Sequence, residues 1–167
     1  MWNVGRILLQ VLLIPSNFDY VRATWPPTDP SSIQLLGLFP DALGSTTTSL
    51  SVHSRAMFQA SVVLAHRYNI SVGQQSIGWQ SIQTGGDSIS ALSATCQGVS
   101  TSNVVGVIGP ALSREATTVS AFAKRVGIPV ISYSATDPNL SDRTSYPSFY
   151  RTVSPDNIIA ITILELF

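Results

Sequence analysis

Two short runs of apolar, uncharged residues enclose a helical segment in the second half of the chain. The first run, 104–110, reads VVGVIGP, and the second, 128–133, reads IPVISY. The residues between them, from Ser113 to about Arg125, carry a helical pattern that Gly127 ends. Uncharged β-branched runs are typical of parallel strands buried on both faces, and parallel neighbours need a crossover connection. This unit therefore constrains the chain to an α/β fold.

The rest of the sequence repeats the alternation of strand and helix. It predicts further strands over 33–40, 75–83 and 149–153, and helices over 50–68, from Asp87 through Cys96, and over 157–166 after Asp156. Residues 41–49 are predicted to form a polar loop. We therefore expect a mostly parallel, doubly wound sheet with helices on both faces.

Two predictions concern which side chains are buried. On the 50–68 helix, apolar residues recur every three or four positions, so we expect this stripe to pack on the sheet: Val52, Ala56, Met57, Ala60, Val63 and Leu64. The single cysteine, Cys96, excludes an internal disulfide and a cysteine-cluster zinc site. We expect it to be a buried residue on its helix, and the alternative is pairing with a cysteine outside this stretch.

The 167 residues suffice for one domain, which we place at 33–167. Residues 1–23 hold a short apolar run behind Arg6 and predict a secretory signal, with a buried strand or a disordered tail as the alternative. Residues 24–32 are rich in Pro, Thr and Ser and suit a linker. The chain stops at Phe167 inside an apolar helical pattern, so we expect a truncated lobe.

Two sequons agree with a secreted, extracellular setting at the plasma membrane. They begin at Asn69 and Asn139 and make both residues glycosylation candidates. Charged residues make up only 11% of the chain, against about 25% in typical soluble domains, and the formal net charge is zero. This composition gives no basis for binding nucleic acid or anionic lipid.

In an open parallel sheet, ligands bind beyond the carboxyl ends of the strands, and three polar segments are predicted there. Ser113 starts a helix and offers an anion site, while Ser134 and Thr136 offer hydroxyl groups in an irregular loop. Asp156 supplies a negative charge for an ammonium group. Together they suit the two charged ends of an amino acid. The alternatives are ordinary helix capping by Ser113 and Asp156, and a simple turn at Thr136-Asp137-Pro138.

The segment 104–156, with its GVIGP, IPVISYSAT, NLSD and SPD motifs, resembles the first lobe of the extracellular domains of class C G-protein-coupled receptors, especially metabotropic glutamate receptors. The similarity extends more weakly back to Ile33. It implies a two-lobed, periplasmic-binding-type fold that signals when a ligand closes the cleft. It also implies a second lobe and a membrane domain outside this chain, and a homo- or heterodimer.

The resemblance assigns a role to each candidate residue. It implies that Ser113 and Thr136 hold an α-carboxylate, and that Ser134, Thr136 and Asp156 hold an α-amino group. His53 takes the place of the basic residue that grips the distal carboxylate of glutamate. A histidine is a weaker, pH-dependent partner for an anion, so the ligand is expected to be amino-acid-like without being assigned as glutamate.

Other functional classes have less support in the sequence. The chain contains no G-x-S-x-G, G-x-x-x-x-G-K or G-x-G-x-x-G motif, and His53 and His66 lie too far apart for a helical zinc motif. We therefore expect no catalysis, cofactor or metal, and an enzyme on a doubly wound sheet is the more distant alternative. A solute-binding protein of a transporter, or the amino-terminal domain of a channel-type receptor, is the closer one.

Overall fold

A computed structural model describes residues 32–40, 42–43, 46–47 and 49–166. The predicted signal and all of the predicted linker except Ser32 lie outside the described residues. Eight strands are assigned: β1 (Ile33–Phe39), β2 (Ala42–Leu43), β3 (Thr46–Thr47), β4 (Ser71–Val72), β5 (Gln75–Gln83), β6 (Val104–Ile108), β7 (Val130–Ser132) and β8 (Phe149–Arg151). The helices are α1 (Ser49–Arg67), α2 (Ser88–Thr101), α3 (Ser113–Val126) and α4 (Asp156–Leu166).

Six of the strands form one sheet in the order β4-β5-β1-β6-β7-β8. Strands β5, β1, β6, β7 and β8 run parallel, and only the two-residue β4 is antiparallel to its neighbour. The expectation of a mostly parallel sheet is confirmed. The sequence did not predict β4 or the small antiparallel pair β2 and β3, which lies within the expected polar loop.

Helices cover both faces of the sheet, as expected for a doubly wound fold. On one face, Leu36 and Leu38 of β1 join Val107, Val130 and Phe149 in a buried cluster with small residues of α2 and α3. On the other face, Phe39 packs against Phe58 and Val62 of α1. The alternation along β1 follows from the two-residue period of strand side chains.

The prediction of which side of α1 is buried is wrong. The expected stripe faces outward: Val52 is 48% exposed, Val63 55% and Leu64 47%. The buried positions are instead Ser51, Phe58 and Val62, which recur at helical spacing on another side. The phenyl ring of Phe58 packs against two aromatic rings of the sheet, tilted to Phe39 and edge-on to Trp79, and an aromatic side chain buries more apolar area than an aliphatic one. This helix therefore has a sheet-facing side and a separate apolar outer side.

The α2 helix begins at the predicted N-cap, but its cysteine is not buried as predicted. The carboxylate of Asp87 accepts hydrogen bonds from the backbone N–H groups of Ile89 and Ser90, at 3.0 and 2.9 Å, which is the expected N-cap. The prediction that Cys96 is buried is wrong, because this residue is exposed. The buried side of α2 follows Ala91, Ala94, Thr95 and Gly98, and Cys96 lies outside that spacing.

Glycine is required where β6 leaves the sheet. Gly109 has a φ of 98°, and a Cβ atom there would lie 2.4 Å from the carbonyl oxygen of Leu38. Any residue with a Cβ atom at position 109 would therefore displace the end of β1. The exit of β6 and the end of β1 are therefore held against each other.

The last helix, α4, contains no buried residue. Within the described ranges, no helix combines the length and apolar character that crossing a bilayer requires.

Candidate ligand-binding site

The carboxyl ends of the parallel strands form one rim, and the strand order reverses between β1 and β6, with β5 on one side of β1 and β6, β7 and β8 on the other. Helix α1 leaves β1 toward one face, while α2 and α3 lie on the other. Such a reversal point opens a crevice where ligands of doubly wound sheets bind. The connections that follow β6, β7 and β8 are the segments that carry the predicted site residues.

Ser113 is not a helix N-cap, so the capping alternative is wrong for this residue. Helix α3 begins at Ser113, and its N-cap position is Leu112. The hydroxyl oxygen of Ser113 accepts hydrogen bonds from the backbone N–H groups of Thr136 and Asp137, both at 3.2 Å. A hydroxyl has two acceptor positions and one proton. With both acceptor positions occupied, Ser113 has its proton available for a third group at the rim.

The beginning of α3 lacks a side-chain cap. Leu112 makes no such hydrogen bond, so the first N–H groups of the helix are open to water or to a ligand. The positive end of the helix dipole lies at the same place. An anion at this point would receive backbone N–H groups together with the Ser113 proton.

The backbone of Asp156 is joined to the same loop. Its N–H group donates to the carbonyl oxygen of Thr136 at 3.0 Å. Helix α4 begins at Asp156 itself, one residue earlier than predicted. Ser113 and Asp156 thus contact the N–H and the carbonyl group of the same residue, Thr136, and the structure brings together the three loop ends that the sequence placed at a common edge.

The polar groups of these loops are only partly used. Within the described part of the chain, no hydrogen bond is made by the side-chain hydroxyls of Ser134 and Thr136 or by the carboxylate of Asp156. Asp156 is exposed, and Ser134 and Thr136 are half-buried. These side chains can therefore meet a ligand without first breaking a protein contact. The alternative of a simple turn at Thr136-Asp137-Pro138 is met only from Asp137 onward, where its carboxylate accepts from the N–H of Asn139 at 2.9 Å and a 3-10 turn follows at Pro138–Ser141.

Two residues that support the rim were not predicted as part of it. The buried hydroxyl of Ser132 donates to the carbonyl of Pro110 at 2.7 Å and accepts from the N–H of Ala135 at 3.0 Å. The hydroxyl of Tyr133 donates to the carbonyl of Leu38 at 3.4 Å. These bonds join the ends of β1, β6 and β7. Pro110 and Leu38 are distant in sequence from Ser132 and Tyr133, so no local pattern could have indicated these two contacts.

His53 lies apart from the other four predicted site residues. It is an exposed residue of α1 that lines a mostly apolar cleft of about 500 Å³ between α1 and the sheet, together with Phe39, Met57, Phe58 and Tyr133. Across the described ranges, no hydrogen bond joins it to Ser113, Ser134, Thr136 or Asp156. The link between His53 and the rim is the shared neighbour Tyr133.

A buried carboxyl group lies below the rim. Glu115, in the first turn of α3, has no solvent-exposed surface, and neither of its carboxyl oxygens has a hydrogen-bond partner in the described structure. Burial raises the pKa of this carboxyl group above its ordinary value of 4.5. The charged form is favoured by the Thr84 hydroxyl, Arg114 and the Gly86 backbone, but their combined effect on the pKa is smaller than that of desolvation. No cluster of three or more His, Cys, Asp or Glu side chains suited to a metal occurs among the described residues.

A comparison with protein families shows to which family the chain belongs. The family of receptor ligand-binding regions matches residues 55–167, about two thirds of the chain. The chain belongs to this receptor ligand-binding family. The match includes α3, the loops that carry Ser134 and Thr136, and the start of α4.

Relatives of this receptor ligand-binding region include class C G-protein-coupled receptors. Taste receptor type 1 member 3 of the dog, Canis lupus familiaris, is 41% identical over 63 residues, which are 38% of this chain and 8% of that receptor. Human metabotropic glutamate receptor 8 is 40% identical over 63 residues, 38% of this chain and 7% of the receptor. The predicted resemblance is confirmed, and the chain matches only a small part of these receptors.

The fold has a counterpart among solved structures. The branched-chain amino acid transporter substrate-binding protein LivJ of Streptococcus pneumoniae, solved in complex with isoleucine, superimposes with a TM-score of 0.66. The two are 23% identical, and the match covers 75% of this chain and 34% of that one. The receptor ligand-binding region therefore has a periplasmic-binding-type fold.

The buried Glu115 predicts a pH dependence of stability. A carboxyl group whose pKa is raised by folding stabilises the protein below its unfolded value, and this contribution is lost as pH rises through the folded value. We expect the unfolding free energy of the wild type, from urea titrations, to fall from about pH 4.5 upward. Glu115→Gln should remove this trend and gain of the order of 1 kcal/mol on the wild type toward pH 8.

The opposite trend of Asp87 serves as an internal control. Hydrogen bonds from Ser90 lower the pKa of the Asp87 carboxyl group, so its stabilising contribution is lost only as pH falls below its ordinary value of 3.8. Above pH 4.5 the Asp87 contribution is therefore present in both proteins, and the difference between their profiles reports on Glu115. Parallel pH profiles for the wild type and Glu115→Gln would show that Glu115 does not titrate in that window.

Proposed function

We propose that this protein is the ligand-binding region of a cell-surface receptor of the class C type, which binds an amino-acid-like molecule through its α-carboxylate and α-amino groups. The observation that carries the proposal is the double attachment of Thr136. Its N–H group donates to the Ser113 hydroxyl, and its carbonyl accepts from Asp156. A donor group, Ser113, and an acidic residue, Asp156, are thus both attached to one loop residue.

The donor groups suit a carboxylate. The Ser113 proton, the Thr136 hydroxyl and the uncapped N-terminus of α3 all favour negative charge. The acidic residue suits an ammonium group, for which the Asp156 carboxylate and the Ser134 and Thr136 hydroxyls are acceptors. We assign these four residues to the ligand, with His53 near its side chain.

Signalling follows from cleft closure. A ligand held by this lobe gains further contacts when a second lobe closes over it, so it favours the closed form by its differential affinity. A transporter binding protein or a channel-type receptor shares such a lobe. The 41% and 40% identities with taste and metabotropic glutamate receptors favour the receptor, because the 23% identity with LivJ speaks for the fold alone. Nothing in the site gives reason to assign catalysis.

Substitutions at Ser113 and at Asp156 are expected to reduce affinity through different groups of the ligand. We expect Ser113→Ala to weaken amino acids by roughly tenfold while their α-amides lose little, because the alanine removes a donor to the carboxylate. Asp156→Asn should weaken amino acids by roughly 10- to 100-fold and leave deaminated carboxylic acids unchanged. Isothermal calorimetry on the full-length protein measures both series, starting with L-isoleucine and L-glutamate and extending to the other amino acids.

The controls separate binding from folding. The Asp156 side chain makes no hydrogen bond among the described residues, and its structural bond uses the backbone N–H, which Asp156→Asn retains. Thermal unfolding without ligand should therefore match the wild type. Equal losses for amino acids, amides and deaminated acids would contradict the assignment, and the absence of binding by any amino acid would overturn the proposed function.

We assign the outer side of α1 to contact with a second copy of the receptor. Its exposed apolar residues, which include Val52, Val63 and Leu64, lie at helical spacing along a 19-residue helix. Val63→Asp should shift the protein toward monomer in sedimentation experiments, because a charge in an apolar contact is costly. Val126→Asp introduces the same change at an exposed valine of α3 and should have no effect. A wild type that is monomeric at all concentrations would exclude this contact.

We also assign the protein to the extracellular side of the membrane, with glycans at two sites. Asn69 follows α1, Asn139 lies in the 3-10 turn, and both are exposed. Expression through the secretory pathway should give a protein whose mass falls on glycosidase treatment, with Asn69→Gln and Asn139→Gln each removing one step. A mass equal to that of the bare chain would contradict the assignment of glycans to these two sites.

A further inference from the structure

The guanidinium group of Arg151 contacts the loop that carries Thr136. Arg151 is the last residue of β8 and is half-buried. One of its nitrogens donates to the carbonyl oxygens of Ala135 and Asp137, at 3.2 and 3.0 Å. A second nitrogen donates to the Ser141 hydroxyl. One side chain thus spans the loop from Ala135 to Ser141.

The two carbonyl groups flank Thr136. The N–H and carbonyl of Thr136 are already engaged by Ser113 of α3 and Asp156 of α4. Arg151 therefore completes a set of contacts that fixes three successive peptide groups from three elements. Rotation of any of these groups would move the Thr136 hydroxyl relative to the start of α3.

We propose that Arg151 is a positioning residue, which holds the 134–141 loop in the conformation that presents Thr136 to a ligand. The inference rests on the proposed function, since it assigns a purpose to the loop geometry. Ala135 is buried, so loss of the arginine leaves its carbonyl without this donor and away from water. The guanidinium group of Arg151 is engaged in hydrogen bonds to the loop, and we assign it no contact with the ligand.

Arginine is required for this role because of its shape. A guanidinium group is a flat array of donors that bridges several acceptors at once, whereas a lysine ammonium group is a point charge on a flexible stem. Arg151→Lys keeps the charge and loses the bridge. An effect of this substitution therefore reports on geometry rather than on electrostatic attraction.

The same strand region offers a matched control. Arg143 also donates to a backbone carbonyl, that of Phe149, and its guanidinium lies 5.3 Å from the ring centre of Tyr150. It makes no hydrogen bond to the 134–141 loop within the described structure. Arg143→Lys thus alters a comparable arginine beside β8 and leaves the loop contacts intact.

Amide hydrogen exchange on the full-length protein without ligand tests the positioning directly. In Arg151→Lys, we expect the Thr136 and Asp137 amides, which donate to Ser113, to exchange about tenfold faster or more. The Val107 amide, which donates to Pro129 at 2.9 Å in the sheet, serves as the internal reference and should keep its rate. Arg143→Lys should leave the Thr136 and Asp137 rates unchanged.

Calorimetry with L-isoleucine and L-glutamate then connects the loop to binding. Affinity for whichever amino acid the wild type binds should fall about tenfold in Arg151→Lys and stay unchanged in Arg143→Lys. If Arg151→Lys also accelerates exchange at Val107, Arg151→Gln, which keeps one uncharged amide donor on a shorter side chain, takes its place and should accelerate only the loop.

The outcomes distinguish the two proposals. Loop exchange that is the same in the Arg151 and Arg143 variants overturns the positioning role, whatever the protein binds. Faster loop exchange with unchanged affinity also overturns it, because the loop conformation would then not matter to the ligand. A wild type that binds neither these probes nor any other amino acid overturns the proposed function, while the exchange data still decide whether Arg151 holds the loop.

Discussion

The hydrogen bonds of the Thr136 peptide organise the rim of this protein. The loop after β7 has little regular structure, and its position depends on the Ser113 hydroxyl at one side and the Asp156 N–H group at the other. Each bond is individually modest, about 0.5–1.5 kcal/mol in net terms. Because both converge on one residue, the ends of three consecutive strand units keep a fixed relation while the side chains between them stay available.

The sheet supplies the frame on which these bonds act. Parallel strands direct all their carboxyl ends to one edge, so loops that are distant in sequence become neighbours. Ser132 and Tyr133 extend the connection to β6 and β1 through bonds to the carbonyls of Pro110 and Leu38. The close approach of Gly109 to Leu38 acts in the same direction. The rim is therefore a continuous structure rather than a set of independent loops.

The sequence was sufficient for the four helices, for the five parallel strands and for their order, but not for the two-residue strands β2, β3 and β4. Uncharged β-branched runs, Asp87 before α2 and Gly127 after α3 are local signals, and each corresponds to the predicted boundary within a few residues. The buried side of α1 could not be predicted in this way, since the helix carries two apolar stripes and periodicity does not choose between them. Ser113 was found at the rim, but its acceptor role depends on Thr136, 23 residues away. The contacts of Arg151 likewise join β8 to an earlier loop, which local patterns do not reveal.

The two sides of α1 use different sets of residues. The inner set is buried and consists of Ser51, Phe58 and Val62. The outer set is exposed and consists of Val52, Val63 and Leu64. Substitutions in the outer set leave the packing of the lobe untouched, and substitutions in the inner set leave its surface chemistry untouched. Related proteins can therefore change their binding partners through the outer residues of this one helix while the packing of the lobe stays the same.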